Sequence, residues 1–390
     1  MKKVQLVMLS TLSSSGGGRE TWISQFVPHF LNSQNATIEV ASIAPLKDDL
    51  VLKTGPALSV ESVWPWPRYI PWPFLFSAGY IYGAKRSRDF DVVVAIGGLS
   101  EALPVVLANL IFRRRSRSVL WVRTVYLREK ANRIPRILRA PAAFIEKHLV
   151  RRFDIVIANG DDTAAFYRNY REDVLVIANA VDVRRWGEAK KVYSGGPLHV
   201  SFIGRVTDIK GIREFVAAAN MLQNPDSASQ KFRFTVLGPC TENVKKQLGF
   251  LEPSCAIEYL PPLPNASLPS FLKTVDVCVN LTYGTGDFMG GGVSNALLEQ
   301  MAAGKPQIVW DNPIYRNVTD EGFAMFARER DVQSLTACLD DLWQKRSDLP
   351  AMSENAMRRA QGFGWESHIS RASDAFFGAR TFGTPTSDLF

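Results

Sequence analysis

Hydrophobic positions along the chain fall into two patterns that alternate. Short apolar runs occur at Val4 to Leu12, Thr37 to Ala44, Val92 to Ile96, Ser118 to Thr124, Ile155 to Ala158 and Val174 to Ile177. Between them lie stretches with helical spacing: Trp22, Phe26, Phe30 and Leu31 share one face, and Ser100 to Phe112 forms another helix. Continuous apolar runs bounded by turn residues read as strands buried on both faces, which requires helices above and below a parallel sheet.

A second series begins at His199. Strands are expected at His199 to Ile203, Phe232 to Leu237, Ile257 to Leu260, Val275 to Asn280 and Gln307 to Trp310, with a helix over Gly211 to Leu222. A further helix opens near Ser294 and closes at Gly304 before Pro306, with a capping residue at its start and glycine past its end. Leu349 to Phe377 reads as helical. The polar, glycine-rich stretch Arg184 to Pro197 separates the two series. The expected fold class is α/β: two Rossmann-like doubly wound domains, residues 1–186 and 187–364, facing a cleft, followed by a helix and tail over 365–390. Such sheets bind ligands at the carboxyl ends of their strands.

Length agrees with this division: 390 residues hold two domains of about 100–200 residues each, with room for a tail. Hydrophobic residues at 46% and charged residues at 22% exclude a disordered, collagen-like or coiled-coil chain. No apolar run reaches the roughly 20 residues that span a bilayer. Met1-Lys2-Lys3 followed by Val4 to Leu12 superficially resembles a signal peptide, but Gln5, Ser10 and Thr11 interrupt it, and a buried first strand explains it better. Cys240, Cys255, Cys278 and Cys338 lack CxxC spacing and read as reduced thiols, so a cytoplasmic location is expected.

Charge is unevenly divided. Residues 1–186 carry 26 Lys and Arg against 16 Asp and Glu, while the whole chain is only +8. A basic first half suggests an anionic partner, nucleic acid or lipid headgroups. No nucleic-acid reader motif is present, so no specific nucleic-acid binding is expected.

Three stretches carry candidate chemistry. Gly16, Gly17 and Gly18 follow the first strand and open a helix, so backbone amides there can approach a phosphate or sugar oxygens. Gly204 and Arg205 follow a strand, and Lys210 precedes a helix; a guanidinium and an ammonium at the mouth of a crevice suit a diphosphate. Gly290, Gly291 and Gly292 lead through Ser294 and Asn295 into the third helix, and Glu299 lies one turn beyond Asn295 on nearly the same face. A carboxylate there can accept both hydroxyls of a ribose.

These motifs resemble a known family. Phe202-Ile203-Gly204-Arg205 with Lys210-Gly211 resembles the second-domain opening of the GT-B glycosyltransferases of family 4. Ile177 to Asp182 is similar to their Pro-Asn-Gly-Val-Asp linker entry, Asn295 to Pro306 to their nucleotide-ribose helix, and Phe363-Gly364-Trp365-Glu366 to their Phe-Ser-Trp-Glu. The matches run in family order over nearly the whole chain.

The resemblance implies a retaining transfer of a sugar from a nucleotide-diphosphate donor (UDP-, GDP- or dTDP-linked) to a glycan or lipid-linked acceptor, in polysaccharide or glycoconjugate synthesis. It makes residues 1–186 the acceptor-side domain and 187–364 the donor domain, with the last helix crossing back toward the first. It makes Arg205 and Lys210 the diphosphate ligands and catalytic cations, with Gly204, Gly290, Gly291, Gly292, Ser294, Asn295 and Glu299 around the donor. Gly16, Gly17 and Gly18 would line the donor phosphate or acceptor side. No cofactor or metal is implied, and the sequence holds no DxD-like pair in a suitable loop and no histidine cluster.

Two departures stand out. Where the family has a glutamate eight residues before Glu299, this chain has Gly291; Asp287 is a substitute four residues upstream. Where the family often has a first-domain histidine, this chain has Arg123-Thr124-Val125-Tyr126, and its histidines His29, His148, His199 and His368 read as structural or surface residues. The first departure keeps an alternative open: a catalytically silent GT-B protein that binds nucleotide sugar or glycan. Finally, Trp64 to Phe76 is rich in Trp and Pro, and Lys85 to Arg88 and Arg113 to Arg117 are basic. Trp, Tyr and cations favour bilayer interfaces, so docking on the cytoplasmic face of a membrane is expected, against the alternative of tryptophans packed on the domain's own core.

Overall fold

The computed structural model describes residues 1–8, 18–42, 58–62, 79–81, 90–123, 125, 127, 135–191, 193, 195–223, 230–250, 252, 255–284 and 293–378. Gly16, Gly17, Gly290, Gly291, Gly292, Asp287, Trp64 to Phe76 and Lys85 to Arg88 lie outside the described residues.

Contacts divide the chain into two compact units, residues 1–178 with 365–390, and 179–364. The first division falls at Ala178 rather than after residue 186. Residues between these points pack with the second unit: Asn179 donates to the Val293 carbonyl at 2.7 Å, Val181 N to the Phe363 carbonyl at 2.9 Å, and Trp186 sits in the second core.

Among the described residues, the first unit contains seven parallel strands in the order β3-β2-β1-β4-β5-β6-β7. They are β1 Lys2–Val7, β2 Ala36–Ser42, β3 Leu58–Ser62, β4 Val92–Gly97, β5 Arg117–Val122, β6 Ile155–Ala158 and β7 Val174–Val176. Among the described residues, helices α1 Gly18–Ser33, α2 Leu99–Phe112, α3 Arg136–Val150 and α4 Asp161–Arg168 accompany them. β4 is buried at every position, as an interior strand covered on both faces must be.

Among the described residues, the second unit contains six parallel strands in the order β10-β9-β8-β11-β12-β13. They are β8 Leu198–Ile203, β9 Phe232–Leu237, β10 Ile257–Leu260, β11 Val277–Asn280, β12 Gln307–Trp310 and β13 Ala324–Ala327. Helix α5 Ile212–Leu222 follows β8, and α6 Asn295–Ala302 joins β11 to β12. Phe202, Phe215 and Phe234 sit in its core beside Leu297, Leu298 and Met301 of α6. Each such side chain contributes about 1.5–3 kcal/mol on full burial.

The last helix, α7 Trp365–Phe377, belongs to the first unit and packs on α1. Trp22 and Phe26 of α1 stack at 4.6 Å, and Trp22 meets Trp121 of β5 edge-on at 4.9 Å. His368 completes the cluster: its Nε2 accepts from Trp22 Nε1 at 3.2 Å, and its Nδ1 donates to the Ala178 carbonyl at 2.8 Å. That fixes a neutral tautomer, and burial with the nearby Arg123 charge pushes its pKa down to about 3.

Candidate functional site

In the second sheet the strand order reverses between β8 and β11. In doubly wound sheets, ligands bind beyond the carboxyl ends of the strands at such a reversal. β8 delivers Gly204, Arg205 and the turn ending at Lys210. β11 delivers Leu281, Thr282 and Tyr283.

Two glycines make this junction tight. Gly211 has φ +67 and starts α5, and a Cβ on it would lie 2.5 Å from the Leu281 Cβ and 2.7 Å from its carbonyl oxygen. Gly238, at the end of β9, has φ +150, and a Cβ there would collide with the Gly204 carbonyl. Space in front of Gly204 is open: a Cβ would meet nothing within 4 Å.

Arg205 is exposed and Lys210 half-buried. Lys210 Nζ donates to Thr282 Oγ1 at 2.9 Å, across 72 residues of sequence. No carboxylate pairs with Lys210 among the described residues. Burial, and secondarily the charge of Arg205, lower its pKa to about 8. Thr282 is itself fixed: its N–H donates to the Tyr315 hydroxyl at 2.8 Å, and its carbonyl accepts from Asn312 Nδ2 at 3.1 Å. Asn312 Nδ2 also donates to Glu329 at 2.7 Å, and Glu329 accepts the Gly284 N–H at 2.8 Å. The ammonium thus stands at a rigid junction beside a neutral hydroxyl and a second cation.

Helix α6 begins on the carboxyl side of the same sheet because it runs back from β11 to β12. Ser294 caps it, its hydroxyl accepting the Leu297 N–H at 3.2 Å. Asn295 follows at the first turn, its Oδ1 buried without a hydrogen-bond partner among the described residues. Glu299 is half-buried one turn later. Burial raises its pKa to about 7, against the opposing pull of Arg185 and an Asn265 hydrogen bond. Arg185 is held in turn by donating to the Asn265 carbonyl at 2.6 Å and by lying over the Trp186 ring at 4.9 Å.

Arg205, Lys210 and Gly204 therefore share the β8 loop, and Ser294, Asn295 and Glu299 share the start of α6. Gly18 is the first residue of α1 in the other unit. Thr282, Arg185 and Asn265 were not expected. Asp182, which caps the short helix Val183–Gly187 by accepting the Arg185 N–H at 3.1 Å, was the local signal for the first of the last two. Among the described residues no group of three His, Cys, Asp or Glu could hold a metal ion.

Residues 17–185 match the family described as Glycosyltransferase Family 4, and residues 197–345 the family described as Glycosyl transferases group 1. No curated protein sequence matches the chain. Among solved structures, sucrose-phosphate synthase from Thermosynechococcus elongatus is similar with a TM-score of 0.74 at 14% identity, over 96% of this chain and 98% of that one. Anabaena HepE in complex with UDP is similar with a TM-score of 0.72 at 14% identity, over 96% and 99%. The lipopolysaccharide outer core galactosyltransferase WaaB gives 0.70 at 14% identity, over 97% and 99%. At this identity these likenesses show the fold, which is GT-B.

Proposed function

Because the chain belongs to the group 1 glycosyl transferases of glycosyltransferase family 4, we propose that it transfers a sugar, with retention, from a nucleotide-diphosphate sugar to a glycan or lipid-linked acceptor. The observation that carries the reading is Lys210. A half-buried ammonium at the topological switch point, with only a hydroxyl partner among the described residues and Arg205 as neighbour, is left with charge to neutralise. A diphosphate supplies that charge. The similarity to HepE, solved with UDP and in another crystal with UDP-glucose, supports a uridine nucleotide as the first donor to try.

In this reading Arg205 and Lys210 grip the diphosphate, and open space at Gly204 admits it. Glu299 accepts the ribose hydroxyls, with Asn295 and the N–H groups at the start of α6 close by. The sugar C1–O bond to phosphate breaks as the bond from C1 to the acceptor oxygen forms on the same face. The acceptor proton passes to the departing phosphate oxygen. Arg205 and Lys210 stabilise charge that grows on that leaving group, so they act more strongly in the transition state than in the ground state. No protein nucleophile is required.

Lys210→Ala and Arg205→Ala should each lose about 10²–10³ in rate, the loss typical of one removed oxyanion donor. The measurement is release of nucleotide diphosphate from UDP-, GDP- and dTDP-sugars. Glu299→Ala should instead raise the donor Kd. Wild-type kinetics in all three variants would overturn the assignment.

Gly291 favours a second reading, a catalytically silent protein that binds nucleotide sugar or glycan, because the family glutamate at that place is missing. Calorimetric binding of a donor with no hydrolysis or transfer would select it.

A further inference from the structure

Helix α3 turns large apolar residues outward. Ile137, Leu138, Phe144 and Ile145 are 83%, 53%, 64% and 47% exposed. Ile137, Pro141, Phe144 and His148 follow one another at intervals of four, three and four, so they share a face that runs the length of the helix. The Phe144 and His148 rings touch, centroids 4.1 Å apart. Every residue from Pro135 to Pro141 is exposed. The first turns therefore gain little packing, although helices of this length draw most of their stability from it. Single exposed apolar residues are ordinary; four large ones on one helix mark a binding surface.

Charge selects the occupant. Arg136 and Lys147 border the stripe, and Arg152 follows the helix. Its acid, Glu146, points the other way: 2% exposed, it accepts from the Tyr167 hydroxyl at 3.1 Å and the Tyr170 hydroxyl at 3.3 Å. The neighbouring helix α2 packs against α3 and ends in exposed Leu110 and Ile111, followed by exposed Arg113 and Arg115. A two-fold contact between copies would set these cations against one another. An apolar stripe bordered by cations and, among the described residues of α3 and the end of α2, free of exposed acids fits a bilayer with anionic headgroups. Rings and aliphatic chains enter the acyl boundary while the cations stay with the phosphates.

We propose that α3 is an interfacial helix by which the first unit docks on an anionic lipid bilayer. It gives the lipid-linked acceptor reading a physical approach and rests on that reading for its purpose, but the docking is measured without donor or acceptor. The full chain is floated with vesicles of phosphatidylcholine containing phosphatidylglycerol, and with phosphatidylcholine alone. Phe144→Glu combined with Ile145→Glu should lower partitioning at least about tenfold, because two buried apolar groups become charges. Arg136→Ala and Lys147→Ala should each lower it about fivefold and weaken its salt dependence. Circular dichroism and the melting temperature should stay at wild-type values, since these side chains make no core.

Retained donor hydrolysis in the Phe144→Glu, Ile145→Glu variant alongside lost flotation supports docking and leaves the transferase reading intact. Wild-type protein that fails to float with anionic vesicles overturns the proposal. So does a double variant that floats normally, or a wild-type dimer that this variant dissolves. Flotation that survives the double variant but is lost in Trp64→Ala with Trp66→Ala would move docking off α3 and likewise overturn it.

Discussion

At the residue scale, two titrations run in opposite senses at the proposed donor site. Glu299, raised to about 7 by burial, is mostly a carboxylate only above that pH, and in the proposed role only then accepts from both ribose hydroxyls. Lys210, lowered to about 8, loses its charge above that pH and with it the proposed grip on a diphosphate. Donor affinity in the unliganded protein should therefore rise as pH passes about 7 and fall beyond about 8. Calorimetric Kd values across this range test it. Glu299→Gln should abolish the acidic limb and spare the alkaline one, and a flat wild-type profile would contradict both assignments. Lys210 and Glu299 were legible as residues because each stands in a local turn or helix motif. Thr282, Arg185 and Asn265 were not. Their partners lie 72 and 80 residues away, and only strand order brings them together.

Elements show the same division between local and distant causes. Helix α6 was legible at both ends, since Ser294 and Gly304 are local start and stop chemistry. Gly211 was visible as a turn residue, but the reason for it is its contact with Leu281. Gly211→Val forces a side chain into positive φ and into the Leu281 backbone. It should cost roughly 2–4 kcal/mol from left-handed strain and overpacking, read by urea unfolding, and should displace Lys210 as well. β13 escaped the pattern because Ala324–Ala327 is short and alanine-rich, and β3 because Leu58–Ser62 alternates with polar residues. Helix α3 escaped for a different reason. Periodicity reveals a stripe but not the direction in which it faces.

For the molecule as a whole, the C-terminal helix α7 is counted with the first unit and is tied to it through His368. Its folded pKa of about 3 lies below the unfolded value near 6.5, so the folded state takes up fewer protons. Its contribution is complete above the unfolded value and is lost as pH falls toward the folded one. Acid should therefore weaken the first unit. His368→Asn should flatten that part of the stability curve, at a cost of about 1–3 kcal/mol at neutral pH from the disturbed Trp22 and Ala178 hydrogen bonds. Urea unfolding at pH 7 and pH 4 compares the two proteins.

The sequence by itself determined the alternation of strands and helices, the two-sheet class and the order of the family motifs. These are written in the spacing of near neighbours, where pleat, helical turn and capping chemistry act. Only the tertiary structure decided the strand order that creates the switch point, the junction of Lys210 with Thr282, the support of Glu299 by Arg185 and Asn265, and the outward face of α3. Each depends on which distant segments bury surface against one another, and that choice is made by the whole core at once.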